Sequence, residues 1–116
     1  MGYDVHITRR EFFWDEEGEA IGADEWTALV EADPDLEMAG AAEAATGDGA
    51  GLRYENPLLA RMATHPEADT DGAWLDLREG VVTAKNPDDV LLAKMKAVAA
   101  LLGAKLQGDD GEDYPL

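Results

Sequence analysis

The stretch from residue 73 to residue 107 constrains the fold more than any other. Ala73, Leu75 and Leu77 alternate with Trp74 and Asp76, the period of a strand with one apolar face. Arg78-Glu79-Gly80 is a short glycine-bearing turn, and Val81, Val82 and Thr83 resume a β-branched run, so 73–85 predicts a hairpin. Asn86-Pro87-Asp88-Asp89 then opens a helix, with Asn86 as N-cap, Pro87 at the first helical position and two acids beside the positive end of the helix dipole. Leu91, Met95, Val98 and Leu102 recur at helical spacing, Leu101 widens the stripe, and Gly103 stands where a left-handed C-terminal glycine belongs. Residues 104–107 return to a short strand. Hairpin, helix and strand in immediate succession leave few topologies, because the helix must carry the chain back along the sheet before the next strand joins it.

The N-terminal part supplies the complement. Tyr3, Val5 and Ile7 alternate with Asp4, His6 and Thr8, which predicts a half-buried strand over 3–9. Residues 10–22 read as a loop. Residues 23–32 read as a helix: Gly22 as N-cap, Glu25 as half of a capping box, Trp26, Leu29 and Val30 as the buried stripe, and Asp33-Pro34 as the stop. Residues 36–45 suit helix or strand, 46–51 (TGDGAG) suit a loop, and Asn56-Pro57 opens a short helix through Leu58, Leu59 and Met62. With 36–72 taken as an insertion or irregular segment, the order is βαββαβ. That is an α+β chain with a split βαβ (ferredoxin-like) antiparallel sheet and two helices on one face. Its first and last strands pair, so "KNPDD" and "GDDGED" share one rim, and the helix-free face carries Asp4, His6, Thr8, Trp74 and Asp76. The 116 residues make one domain, with 108–116 expected as a mobile tail.

Charge bounds the partners. With 26 acids against 9 bases the formal net charge is −17. Such a surface repels nucleic acid and anionic membranes and attracts a basic protein or a cation. Cysteine is absent, which excludes disulfides, thiolate zinc and a Cys nucleophile. No apolar run is long enough to cross a bilayer and no signal peptide is visible, so a cytoplasmic location is expected.

Several constellations carry candidate chemistry. Asp88, Asp89, Asp109, Asp110 and Glu112 would gather on the shared rim as oxygen ligands for a divalent cation, although helix capping and turn formation account for the same residues. "EADTDGAWLDLRE" at 67–79 mimics a calcium loop through Glu67, Asp69, Asp71 and Gly72, but Arg78 stands where a bidentate Glu is required. His6 is the candidate general base, with Asp4 or Asp76 as the group that orients it. Phe12, Phe13 and Trp14, followed by Glu16 and Glu17, form an aromatic triplet beside an acidic run, which suits either a protein interface or a cover for the core. Gly47, Gly49 and Gly51 lack the strand and helix of a dinucleotide site, so no cofactor is expected.

The segments "MGYDVHITR", "KNPDD" and "LGAKLQGDDGEDY" resemble those of a group of small bacterial proteins for which no activity is established. The resemblance covers both ends of the chain and little of its middle. It falls on Asp4, His6, Arg9, Trp26, Lys85, Asn86, Asp88, Gln107, Asp109, Asp110 and Glu112. It implies no activity, so function rests on the residues. The leading expectation is a binding domain for a basic protein, of the immunity or antitoxin type, because opposite charge speeds such associations. The alternatives are a small metal-dependent or His/Asp hydrolytic enzyme and a dimerising structural domain; monomer and homodimer both remain open.

Overall fold

The computed structural model describes residues 3–44, 52–65 and 73–116. It is an α+β structure with two helices and a seven-stranded antiparallel sheet. In chain order the elements are β1 (Val5–Thr8), α1 (Ala23–Ala32), β2 (Leu36–Met38), β3 (Ala41–Ala44), β4 (Leu52–Glu55), β5 (Leu59–Met62), β6 (Trp74–Arg78), β7 (Val81–Ala84), α2 (Asp89–Leu102), β8 (Lys105–Gly108) and β9 (Asp113–Tyr114). The sheet order is β2-β5-β6-β7-β1-β8-β9, and β3 and β4 form a separate antiparallel pair. Val5 lies opposite Ala84 on one side and Gly108 on the other, so the chain leaves β7 and β8 at the same end of the sheet.

One face of the sheet is apolar. Val5, Ile7, Ala60, Met62, Leu75, Leu77, Val82, Ala84 and Leu106 share it, and Trp26 and Val30 of α1 with Leu91, Met95, Val98 and Leu102 of α2 belong to the same buried cluster. Each fully buried Val, Leu, Ile or Met among them contributes about 1.5–3 kcal/mol. The Trp26 indole is wholly buried and its N–H donates to the Leu58 carbonyl at 2.8 Å, so no polar atom is stranded. Arg9, just past β1, joins the two helices: its Nε donates to the Leu102 carbonyl at the end of α2 (2.8 Å), and its terminal nitrogens pair with Glu25 in the first turn of α1 and with Glu19. Glu25 also accepts the Gly22 N–H, and Arg9 together with that bond holds its carboxyl down at about 2. Lys94 of α2 pairs with Asp33 at 2.6 Å and Asp35 at 3.0 Å, which ties the C-terminal end of α1 to α2.

The structure corrects several local expectations. Residues 57–62 are not a helix. Leu59 N–H bonds the Asn56 carbonyl at 2.9 Å and Leu58 N–H bonds Asn56 Oδ1 at 3.1 Å, so Asn56-Pro57 makes a turn and Leu59–Met62 is a strand. From the segment expected as an insertion, β2 and β5 extend the main sheet. Helix α2 begins two residues later than the Asn-Pro signal suggests. Asn86 is left-handed at φ 45°, and Asp88 is the N-cap, accepting the Leu91 N–H at 2.9 Å. Gly103, at φ 63°, closes α2 with Ala104 N–H bonded to the Ala99 carbonyl. Within the expected mobile tail, Asp113–Tyr114 pairs with β8 as a strand. The calcium-like carboxylates at 67–71 and the glycine-rich 46–51 lie outside the described residues.

Candidate functional site beneath the aromatic loop

The second face of the sheet is polar. Strand register aligns Leu59, Asp76, Thr83, His6, Gln107 and Asp113 across β5, β6, β7, β1, β8 and β9. This face was expected to be open. At His6 and Thr8 it is closed, and all four residues of β1 are buried. The cover is the loop that carries Phe12, Phe13 and Trp14.

Two bonds from Gln107, one from Lys105 Nζ to the Glu11 carbonyl at 3.2 Å, and a ring stack hold that loop down. Gln107, 1% exposed, works like an added backbone amide: its Oε1 accepts the Phe13 N–H at 3.0 Å, and its Nε2 donates to the Glu11 carbonyl at 2.7 Å and to Asp113 at 3.0 Å. Phe13 stacks on the His6 imidazole with centroids 3.6 Å apart and planes 11° apart. Trp14 stands edge-on to Phe13 at 4.9 Å and parallel to Phe12 at 4.7 Å. The loop turns on itself through the Asp15 N–H to the Phe12 carbonyl and the Phe12 N–H to the Asp15 carboxylate, both at 3.0 Å. Phe12 and Trp14 lie over Gly111, at φ 84°, where an added Cβ would come within 2.6 Å of Trp14 Cη2.

His6 has two partners. Its Nε2 lies 2.8 Å from Asp109 Oδ1 and its Nδ1 2.8 Å from Thr83 Oγ1. In the neutral ring with Nε2–H aimed at the carboxylate, Nδ1 accepts from the Thr83 hydroxyl; in the imidazolium, Nδ1–H donates to it. Asp109 also accepts the Asp4 N–H at 2.9 Å, and the histidine and this amide hold its carboxyl below the usual range. The orienting carboxylate is thus Asp109, not Asp4 or Asp76. Asp4 contributes its backbone, and Asp76 accepts from the Asn56 amide nitrogen. The reason is register: the β8–β9 turn that carries Asp109 passes beside His6, whereas Asp76 faces Thr83 one strand away.

The expected rim carboxylates are divided among separate partners. Asp109 serves His6. Asp88 caps α2 and pairs with His65 at 2.8 Å, and both bonds lower its pKa, the cap first. Glu112 accepts from the Tyr3 hydroxyl, which lowers the acid and pushes Tyr3 up to about 12. Asp89 opens α2, and Asp110 donates its N–H to the Tyr3 oxygen at 3.3 Å. Among the described residues, no group of three or more His, Asp or Glu side chains is placed to hold a metal ion.

A cleft of about 540 Å³ opens between the aromatic loop and the β6–β7 turn, with His6, Arg10, Phe13, Trp14, Arg78 and Thr83 among its walls. Arg10, Arg78, Thr83 and Gln107 were not singled out as site residues from the sequence. Gln107 was visible there only through its place in the terminal motif, and the alternation of β7 puts Thr83 on the His6 face once the register is known. On the outer side of the loop, Trp14 is 53% exposed and Glu16, Glu17 and Glu19 are exposed beside it. No family model, curated protein or solved structure matches the chain. No helix among the described residues is long and apolar enough to cross a membrane.

Proposed function

We propose that this chain is a binding domain that docks a basic protein on its aromatic, acidic loop, in the manner of an immunity or antitoxin-like inhibitor. The observation that carries the reading is Trp14, a large exposed ring packed on Phe12 and Phe13 and followed in the chain by the exposed acids Glu16, Glu17 and Glu19. A pre-ordered aromatic supplies a hot-spot anchor at small entropic cost, and the surrounding acids steer a cationic partner to it. Net charge of −17 extends that attraction beyond the contact itself. The domain acts inside the cytoplasm on this reading, where a cysteine-free chain suffers no redox constraint. Strand order β6-β7-β1-β8, with α1 and α2 in one buried cluster on the apolar face, supports the finer assignment to a split βαβ arrangement.

The test is affinity capture from a lysate of the source organism at low and high salt, with wild type, Trp14→Ala and Glu16→Lys/Glu17→Lys as baits. A basic protein that is retained at low salt, released at high salt and lost from both variants is the expected result. Capture that is indifferent to both variants removes the loop from the interface and ends the proposal.

A hydrolytic reading keeps one observation: Thr83, His6 and Asp109 are bonded in the order hydroxyl, imidazole, carboxylate, and Thr83 and His6 line the cleft. Against it, the His6 side chain is only 8% exposed and one ring face is covered by Phe13. Ester hydrolysis abolished by Thr83→Ala and by His6→Ala, with both variants folded, would favour this reading.

A further inference from the structure

We propose that the cleft under the aromatic loop binds a small oxyanion, a carboxylate or phosphate carried on a flat organic molecule, with Arg10 as its cationic anchor. Several other bases on this acidic surface are paired with carboxylates. Arg9 pairs with Glu19 and Glu25, Arg61 with Glu37, and Lys94 with Asp33 and Asp35. Arg10 pairs with no carboxylate among the described residues. Its Nη1 donates only to the Asp15 carbonyl, at 3.2 Å, and its Nε is buried with no hydrogen-bond partner. An unsatisfied buried N–H of a charged group is costly, and each one in a folded protein calls for an explanation such as an absent ligand.

The side chain is also held in place. An added Cβ at Gly18 would lie 3.0 Å from Arg10 Cγ, and one at Gly80 2.9 Å from its Nη2. Both glycines have positive φ, so the backbone conformation and the narrow slot for this arginine go together. The cleft it lines offers the rest of a small-molecule site. Thr83 supplies a hydroxyl, and Phe13 and Trp14 flat apolar walls. Three carboxylates also border it. Asp15 is engaged by the Phe12 N–H, and Glu16 and Glu79 are exposed at the mouth. At physiological salt the rest of the negative surface is screened beyond about 8 Å, so an anion that enters meets Arg10 against these three carboxylates alone.

The experiment uses the whole purified chain, titrated with benzoate, with phenyl phosphate and with inorganic phosphate, against sodium chloride at matched ionic strength. The readouts are tryptophan emission and the Arg10 Nε–Hε cross-peak in a ¹H–¹⁵N spectrum. A saturable response to at least one aryl oxyanion is expected, with Kd of about 1 mM or tighter, the range of one charge-assisted anchor plus ring contacts. Benzoate against phenyl phosphate identifies which oxyanion is preferred. Arg10→Lys should weaken binding about tenfold, because the planar fork is lost while the charge stays. Arg10→Gln should abolish it, and a spectrum with native dispersion confirms that this variant is folded. Should Arg10→Gln not fold, Arg10→Lys and Thr83→Val carry the test. A response reproduced by chloride, no saturation by any of the three anions, or binding unchanged in Arg10→Lys would overturn the proposal.

Discussion

Replacing Gln107 with Leu tests how the aromatic loop is held. The side chain is 1% exposed and makes three bonds: from the Phe13 N–H, to the Glu11 carbonyl and to Asp113. Leucine keeps most of the volume and removes all three. If the loop stays docked, the Phe13 N–H is left unpaired, at about 1–3 kcal/mol, and the Glu11 carbonyl loses one bond, about 1 kcal/mol, while keeping Lys105 Nζ at 3.2 Å. If the loop lifts, both groups recover water, but Phe13 leaves its stack on His6, a contact of about 0.5–1.5 kcal/mol beyond its buried area. The chain takes the cheaper course, so the loss lies at about 2–4 kcal/mol. For a domain of this size that lowers the unfolding midpoint by roughly 8–16 °C. Urea unfolding followed by circular dichroism measures the loss, and acrylamide quenching of Trp14 tells lifting from docking. A variant within about 0.5 kcal/mol of wild type, with unchanged quenching, would refute the claim that Gln107 clamps this loop, because surface substitutions without a structural role fall in that range.

Other expectations follow from the same contacts. Arg9→Met should cost about 1–2 kcal/mol, mostly retained in about 1 M salt, because the bond to the Leu102 carbonyl is not an ion pair while those to Glu19 and Glu25 are screened; a loss that disappears in salt would point to the ion pairs alone. Asp88 and Asp109 have depressed folded pKa values, as has Glu25 at about 2. Their stabilisation is complete above the unfolded carboxylate value of about 4 and is lost as pH falls through the folded values; urea midpoints measured down the acid range should fall accordingly, and the acid limb of Asp109→Asn should be shallower than that of wild type. Gly111 and Gly40 both have positive φ, but only Gly111 faces Trp14, while an added Cβ at Gly40 meets nothing within 4 Å. Gly40→Ala should therefore cost about 1 kcal/mol of backbone strain without changing tryptophan emission, whereas Gly111→Ala should cost more and shift it.

The helices and the β6–β7 hairpin were legible because each repeats one period long enough to exclude the other and carries its own terminal signals. The short strands were not. Asn-Pro opens a helix and a turn with equal ease, and Leu59–Met62 becomes a strand because Ala60 and Met62 find partners in β6 and β2 while Leu58 lends its carbonyl to Trp26. The site was half legible. That His6 and the GDDG turn belong to one end of the sheet follows from the order of elements. That Asp109 and not Asp76 reaches the ring depends on a register of one residue, which composition does not encode. Arg10 was unreadable as a site residue, because sequence does not show that it bonds the Asp15 carbonyl and pairs with none of the carboxylates beside it.

The two faces of this sheet are covered by different physics, and that difference bears on function. Helices α1 and α2 cover one face by apolar contact, which is strong, contiguous and indifferent to small shifts. The aromatic loop covers the other through one glutamine, one lysine, one imidazole stack and a turn of its own, so its position is specified by direction while its stability is small. Segments held by few contacts belong to the low end of local stability, where binding loops are found. A loop of leucines over a leucine face would be more stable and would lack both the unpaired arginine beneath it and the fixed tryptophan above. The polar ladder from Asp76 through Thr83 and His6 to Gln107 is therefore the economical explanation of why Trp14 stands exposed in one orientation, and why the space behind it stays open.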